Sequence, residues 1–290
     1  MSIPVENLRR DLRGRLEADK QISAAWTLVP LVQILDVVIL LVVLFTILFS
    51  AIFTAAQTGG TVSSAALIAS LAGVFALFAV VGFILNVLFS YLLYKLVRRR
   101  NTHFARQSLL YEDLERAIRE VSAKKSVDIS VQLNNLYRLR RESQSDETHR
   151  DAVLWSVILV FAAGAANTFS SFGLMGGAST LGVALIPVFA MWYAYYFLMK
   201  DMFKHERRED WFFGELARSF AALGINIVLP QRLSPVPDRS FIVYIILTIV
   251  TIGFFGVYWV YVLISDPNNH FRYQSMVEDT IMAQVSPVLV

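Results

Sequence analysis

At 290 residues the chain is long enough for one or two domains. Hydrophobic residues make up 56% of it and the mean hydropathy is +0.55, which excludes an ordinary soluble chain of this size. It has no cysteine, so disulfides and thiolate chemistry are excluded, and its net charge of +3 comes from basic residues interleaved with acids rather than from a stripe that would bind nucleic acid.

The N-terminal segment is polar and charged as far as Lys20, without the short apolar core of a signal peptide. Within residues 1–22, Leu8, Leu12 and Leu16 recur at a spacing of four among charges. That pattern predicts a short amphipathic helix on the inner face of a membrane. Trp26 to Phe53 reads as a first span, at ~1.5 Å per residue about 42 Å long, so it tilts or protrudes. Ala55 to Ser64 is a turn, and Ala66 to Val97 returns to the basic run Arg98-Arg99-Arg100.

His103 to Lys125 predicts an amphipathic helix with Leu110, Leu114, Ile118 and Val121 on one face. Glu115 and Arg119 form a candidate i,i+4 pair on the other. Val127 to Arg141 predicts a second helix, and the polar Glu142 to Arg150 a linker. Ala152 to Phe172 and Leu181 to Met199 make a second hairpin around the turn Gly173–Thr180. Ala162, Ala163, Gly164, Ala165 and Ala166 form a small-residue patch suited to close helix approach, and Pro187 is a candidate kink. Arg208 to Leu223 repeats the amphipathic exit with Trp211, Phe212, Leu216, Phe220 and Leu223. The stretch 224–240, with Pro230, Pro235 and Pro237, reads as a stiff connection.

Phe241 to Ser265 is long enough for one span, which would put the C-terminus outside. It also fits two half-helices of about 11 residues turning at Gly253 and Gly256, a re-entrant hairpin that neighbouring helices must cover. The re-entrant form is the expectation, because the polar exit after this stretch occurs twice before. Tyr258 and Tyr261 precede His270 by twelve and nine residues; Tyr91 and Tyr94 precede His103, and Tyr193 and Tyr196 precede His205, by the same intervals. The chain thus reads as three copies of one unit: apolar hairpin, tyrosine belt, histidine exit, amphipathic helix. The boundaries fall at 1–150, 151–238 and 239–290.

Charge placement orients the units. Of the 26 Lys and Arg, five precede the first span, thirteen lie in 95–150, seven in 200–239, and one, Arg272, follows the last apolar run. The turns 55–64 and 171–180 carry none. Cytoplasmic loops collect basic residues, so the N-terminus and the two basic regions are expected inside, facing anionic headgroups.

The run Thr251-Ile-Gly253-Phe-Phe255-Gly256-Val-Tyr258-Trp259 resembles an uncharacterised membrane domain of bacteria and archaea with a Thr-x-Gly-x-Tyr/Phe-Gly-x-Tyr-Trp signature. The likeness covers residues 240–275 and implies a membrane domain without implying chemistry.

Asp36 is the one charged side chain deep in a predicted span, with Gln33 one turn away and Asn86 at similar depth on the returning helix. These three form a candidate intramembrane polar cluster, either protonatable and functional or simple interhelical glue. The tyrosines and Trp192 and Trp259 fit an interfacial belt. His103, His205 and His270 are expected to anchor helix ends at headgroup level; convergence on zinc is the alternative. No nucleotide loop, HExxH or Gly-x-Ser-x-Gly pattern is present. The expectation is an all-α, polytopic protein of the plasma membrane, N-terminus cytoplasmic, with two full hairpins and a third shorter one. It is expected to be a non-catalytic platform or assembly subunit without cofactor, metal or nucleic acid, partnered by the bilayer and by its own copies or another membrane protein. The alternative is a channel or transporter subunit.

Overall fold

The computed structural model describes residues 3–171 and 177–289, with side chains described except at 3, 66 and 162–184. The described residues are helical, with no strand among them. In chain order they form α1 (Ile3–Arg13), α2 (Arg15–Ala18), a 3-10 turn (Ala24–Thr27), α3 (Leu28–Thr58), α4 (Ser64–Lys125), α5 (Ser130–Asp146), α6 (Ala152–Ser171), α7 (Gly177–Ala222), α8 (Phe241–Val250) and α9 (Phe254–Leu289).

Three of these are long, and they organise the rest. The return span and the amphipathic exit of the first unit are one 62-residue helix, α4, which at ~1.5 Å per residue is about 93 Å long. No glycine or proline lies between Tyr91 and Lys125 to interrupt it. Helix α7 likewise runs on through Pro187. Two stretches, Ala24–Thr58 and Leu67–Lys125, are long and apolar enough to cross a membrane. Their apolar surface is largely exposed: Leu41, Phe45, Phe49, Leu77 and Val80 all face outward. Gly59, at a φ of +62°, ends α3 in the left-handed conformation.

Helices α4, α7 and α9 share two apolar cores. The upper one joins Leu92, Leu93 and Leu96 of α4 to Tyr195 and Phe197 of α7 and Trp259, Leu263 and Ile264 of α9. The lower one is built from every fourth residue: Leu110, Leu114 and Ile118; Phe212, Leu216 and Phe220; Val277, Ile281 and Val285. These triplets stand seven, eleven and fifteen residues past their respective histidines. Each of the three stretches marked out in the sequence therefore contributes one long helix to a common interior.

Several expectations change here. Helix α1 does not lie free for a membrane surface: Val5 and Leu8 are buried in the lower core, and only Leu16 of the leucine series is strongly exposed. The apolar stripe found a protein groove first, between α4 and α9, because the exposed face of that helix pair is itself apolar. The predicted linker 142–150 is helical to Asp146. Glu115 pairs with Arg140 of α5 at 2.9 Å rather than with Arg119. Of the expected turn Gly173–Thr180, residues 173–176 lie outside the described residues and 177–180 already belong to α7; the side chains of the 162–166 small-residue patch also lie outside the described residues.

The third apolar stretch breaks at 251–253, with Ile252 at a φ of +51° and Gly253 at +90°. The chain then reverses. The rings of Tyr244 and Phe255 lie 5.0 Å apart, and those of Phe241 and Trp259 5.7 Å apart, so α8 folds back along the start of α9. Gly253 rests on Ile34 of α3.

Candidate functional site

Between the two apolar cores lies a polar layer, and at its centre are the three histidines. His103 sits on α4, His205 on α7 and His270 on α9, each at most 1% exposed. Their ring centroids form a near-equilateral triangle of 4.9, 5.3 and 5.3 Å, with interplanar angles of 78°, 85° and 73°. One nitrogen from each ring can be chosen so that all three lie within 4.8 Å of one another. The expected role as interfacial anchors is thereby corrected. A helix period of 3.6 carries a residue nine positions past the outward tyrosine of each belt onto a different face, and that face is the bundle axis.

Each ring is held from behind by a carboxylate, and each carboxylate by an arginine. His103 Nδ1 meets Asp19 Oδ1 at 2.7 Å, and Asp19 meets Arg106 at 2.8 Å. His205 Nδ1 meets Glu147 Oε1 at 2.9 Å, and Glu147 meets Arg208 at 2.7 Å. His270 Nδ1 meets Glu206 Oε2 at 3.1 Å, and Glu206 meets Arg232 at 2.7 Å. An ionised carboxylate only accepts, so wherever the carboxylate is ionised and the imidazole neutral, the ring hydrogen is on Nδ1. The Nε2 lone pairs then point inward: His103 Nε2 lies 3.0 Å from His205 Nε2, and His270 Nε2 is buried without a hydrogen-bond partner.

Electrostatics favour neutral rings at His103 and His270. Burial, and then the neighbouring cationic groups, push the His103 and His270 pKa values well below the ordinary histidine range. Burial would raise Glu147, but His205 and Arg208 outweigh it and hold the carboxyl at about 2. One turn further along, Gln107, Glu209 and Gln274 form a second buried polar layer. Gln107 Nε2 donates to Glu209 at 3.3 Å, and Gln274 Nε2 donates to the Gln107 carbonyl oxygen. Burial pushes Glu209 well above the usual carboxylate range despite Arg232 beside it.

Part of this arrangement has a sequence signal that spacing alone would not rank. Arg106 and Arg208 each stand three residues past their histidine. In the third sector that position is Tyr273, and Arg232 arrives from the 224–240 connection to stack on its ring at 3.8 Å. Asp19 and Glu147 each stand five residues before the next helical entry, at Ala24 and Ala152. The corresponding position before α8 is Val236, whose N–H donates to Glu206 at 2.6 Å, so α7 supplies the missing acid. Asparagines two residues before the histidine clasp these entry segments. Asn101 donates to the Arg150 carbonyl at 2.5 Å and accepts from its N–H at 3.2 Å. Asn268 does the same to Ile22 at 2.8 and 3.2 Å.

The other candidates separate. Tyr91, Tyr193, Tyr196, Tyr258 and Tyr261 are 40–51% exposed and face away from the axis. They lie in pairs, Tyr91 stacked on Tyr94 at 6.2 Å, Tyr258 on Tyr261 at 6.3 Å, and Tyr193 tilted against Tyr196 at 6.4 Å. Asp36, Gln33 and Asn86 are not joined by hydrogen bonds. Asn86 donates instead to the Leu159 carbonyl of α6 at 3.4 Å, and the Asp36 carboxylate lies over Gly82. The glycine gap lets α3 and α4 approach and leaves Asp36 no side-chain partner there.

Comparison with known families finds one likeness: a domain of unknown function (DUF4234) matches residues 239–289. That is the third sector, from the entry to α8 through the end of α9, and it includes His270. Neither the curated proteins nor the solved structures give a match.

Proposed function

We propose that this is a multi-pass integral protein of the plasma membrane, built from three copies of one hairpin-and-exit unit, acting without catalysis as an assembly platform. One observation carries the reading. The charged groups of the polar interior are paired with one another, while the outward surface is apolar above the tyrosine pairs and charged below them. Trp and Tyr favour the headgroup level, so the paired tyrosines mark the boundary between bilayer and cytoplasmic bundle. Lys95 lies over the Trp26 ring at 4.9 Å, within the same belt. An open groove of about 880 Å³ beside α4 is lined by Lys20, Tyr91, Tyr94, Lys95 and Arg98, a setting suited to anionic headgroups. On this reading α8 and the start of α9 form a re-entrant hairpin leaned on α3, and the bundle presents α1 and α5 to a second copy or to another membrane protein. Asn86 turned to α6, rather than to Asp36, favours helix glue over an ion pathway.

The absence of cysteine permits a direct test. Single cysteines at Gly60, Ala123 and Ala283, all exposed positions, are labelled in intact cells with a membrane-impermeant thiol reagent. The Gly60 site labels; the Ala123 and Ala283 sites label only after permeabilisation. Labelling of Ala283 from outside would show that 241–265 spans instead of re-entering. Purified protein in liposomes should conduct no ions, and a flux abolished by Asp36→Asn would replace the platform with a channel.

A further inference from the structure

We propose that the inward nitrogens of His103, His205 and His270 bind one divalent transition-metal cation of the zinc class, which pins the three long helices at a single level. Two observations independent of each other point there. The first is geometric. His103 and His205 are each held at Nδ1 by a carboxylate, and their Nε2 atoms meet 3.0 Å apart in the buried centre, where both are placed to face one ion. The second is His270 Nε2, fully buried, aimed at the same pair and without a partner. A hydrogen bond between His103 and His205 would leave that nitrogen orphaned; a metal ion would use all three.

The donor set selects the ion. Three neutral imidazoles suit zinc, copper, iron or nickel, whereas magnesium and calcium take oxygen ligands. The outer partners match what metal-bound histidines require. A carboxylate on the far ring nitrogen fixes the tautomer, orients the ring and raises its basicity. Here that partner is present three times, and Arg106, Arg208 and Arg232 keep each carboxylate in place. Zinc–nitrogen bonds of about 2.0–2.1 Å put tetrahedral ligands roughly 3.3 Å apart, which the rings reach if the His103–His205 pair, at 3.0 Å, opens slightly and His270 moves in. The fourth position is left to water or a small anion. The inference does not depend on the membrane reading, because it concerns only the bundle interior.

The test uses the full chain in detergent, carrying no polyhistidine tag. Metal content is measured by mass spectrometry, and thermal unfolding is followed with chelator and with added Zn²⁺. The expected result is about one zinc per chain and a melting temperature that falls on chelation and recovers with Zn²⁺. His270→Ala loses the ion, and His149→Ala, at an exposed histidine, keeps it. Glu147→Gln still binds zinc but with affinity weakened 10–100-fold, as loss of an outer partner predicts. Wild-type protein that is helical, carries no metal, takes up no Zn²⁺, Co²⁺, Ni²⁺ or Cu²⁺ and melts unchanged would overturn the proposal. So would stoichiometric zinc that survives replacement of all three histidines. Where a variant fails to fold, the wild-type titration decides by itself.

Discussion

Asp11 shows what one buried carboxyl does to stability. It is nearly inaccessible, faces Asp113, and its Oδ2 has no other hydrogen-bond partner, while Arg10 reaches its Oδ1 at 3.2 Å. Burial first, and then the second carboxyl, push its pKa up to about 6. The native state therefore holds a proton that the unfolded chain has released above about pH 4. Stability contributed by this site is present at low pH and is lost as pH rises through about 6. A shift of this size corresponds to about 3 kcal/mol in full, reduced by solvent screening near the Arg10 side to about 1 kcal/mol. Asp11→Asn should raise the melting temperature at pH 7 and flatten its pH dependence between about 4 and 6. A lower melting temperature at pH 7 would show that the ion pair with Arg10 outweighs the carboxyl repulsion.

Along a single element, burial separates neighbours that the sequence ranks together. Trp211 and Phe212 are adjacent on α7, yet Trp211 is 61% exposed and Phe212 is fully buried against Tyr111, with ring centroids 3.8 Å apart. Phe212→Ala should cost about 3–5 kcal/mol, and Trp211→Ala less than about 0.5 kcal/mol. Equal effects in denaturant unfolding would mean that α7 is turned differently about its axis. The α8–α9 turn makes a second comparison. Ile252 holds a φ of +51°, a region costly for a β-branched residue, and its side chain is exposed. Ile252→Gly should stabilise by about 1 kcal/mol, while Gly253→Ala, at a φ of +90°, should destabilise by at least as much. A stabilising Gly253→Ala would rule out the reversed turn.

At the scale of the whole molecule, the ends of the chain are tied together across the polar layer. Asn268 holds both backbone groups of Ile22 and also accepts from Arg99 at 2.7 Å. Arg99 is buried, its remaining bond running to the Leu263 carbonyl at 3.1 Å. Asn268→Ala removes the clasp and leaves a buried guanidinium short of a partner, at a cost of about 1.5–3 kcal/mol. Limited proteolysis should then cut between α2 and α3 in the variant well before it cuts the parent. Identical cleavage rates would show that α1 and its core contacts, rather than Asn268, dock the N-terminal segment. Buried ionic networks of this kind add little net stability but select one arrangement of partners. In this bundle, three similar helices must be told apart, and each takes a different set: Asp19 with Arg106, Glu147 with Arg208, Glu206 with Arg232.

Composition and periodicity alone determined the helical class, the apolar stretches and the inner face of the first two exit helices, apart from Trp211. Leu110, Leu114 and Ile118 are read correctly from their spacing because a stripe at every fourth residue has to leave water, whether for a packed interior, as here, or for a membrane surface. The recurring tyrosine–histidine interval was legible too, and so was the break near Gly253, whose φ of +90° suits glycine, whereas Gly256, expected in the same turn, is helical within α9. Spacing could not say which way a histidine points. A polar residue at a helix exit has two acceptable settings, a headgroup layer or a buried site with partners, and the difference rests on residues far away in sequence. Asp19 and Glu147 reach their histidines across 84 and 58 positions. Glu206 and Arg232 replace acid and base that the third sector lacks, and nothing local announces them. Asn86 donates to the Leu159 carbonyl instead of facing Asp36, because depth in a predicted span fixes height but not azimuth. Tertiary structure decided what shares the axis, because a buried polar group is tolerable only where distant partners complete its hydrogen bonds.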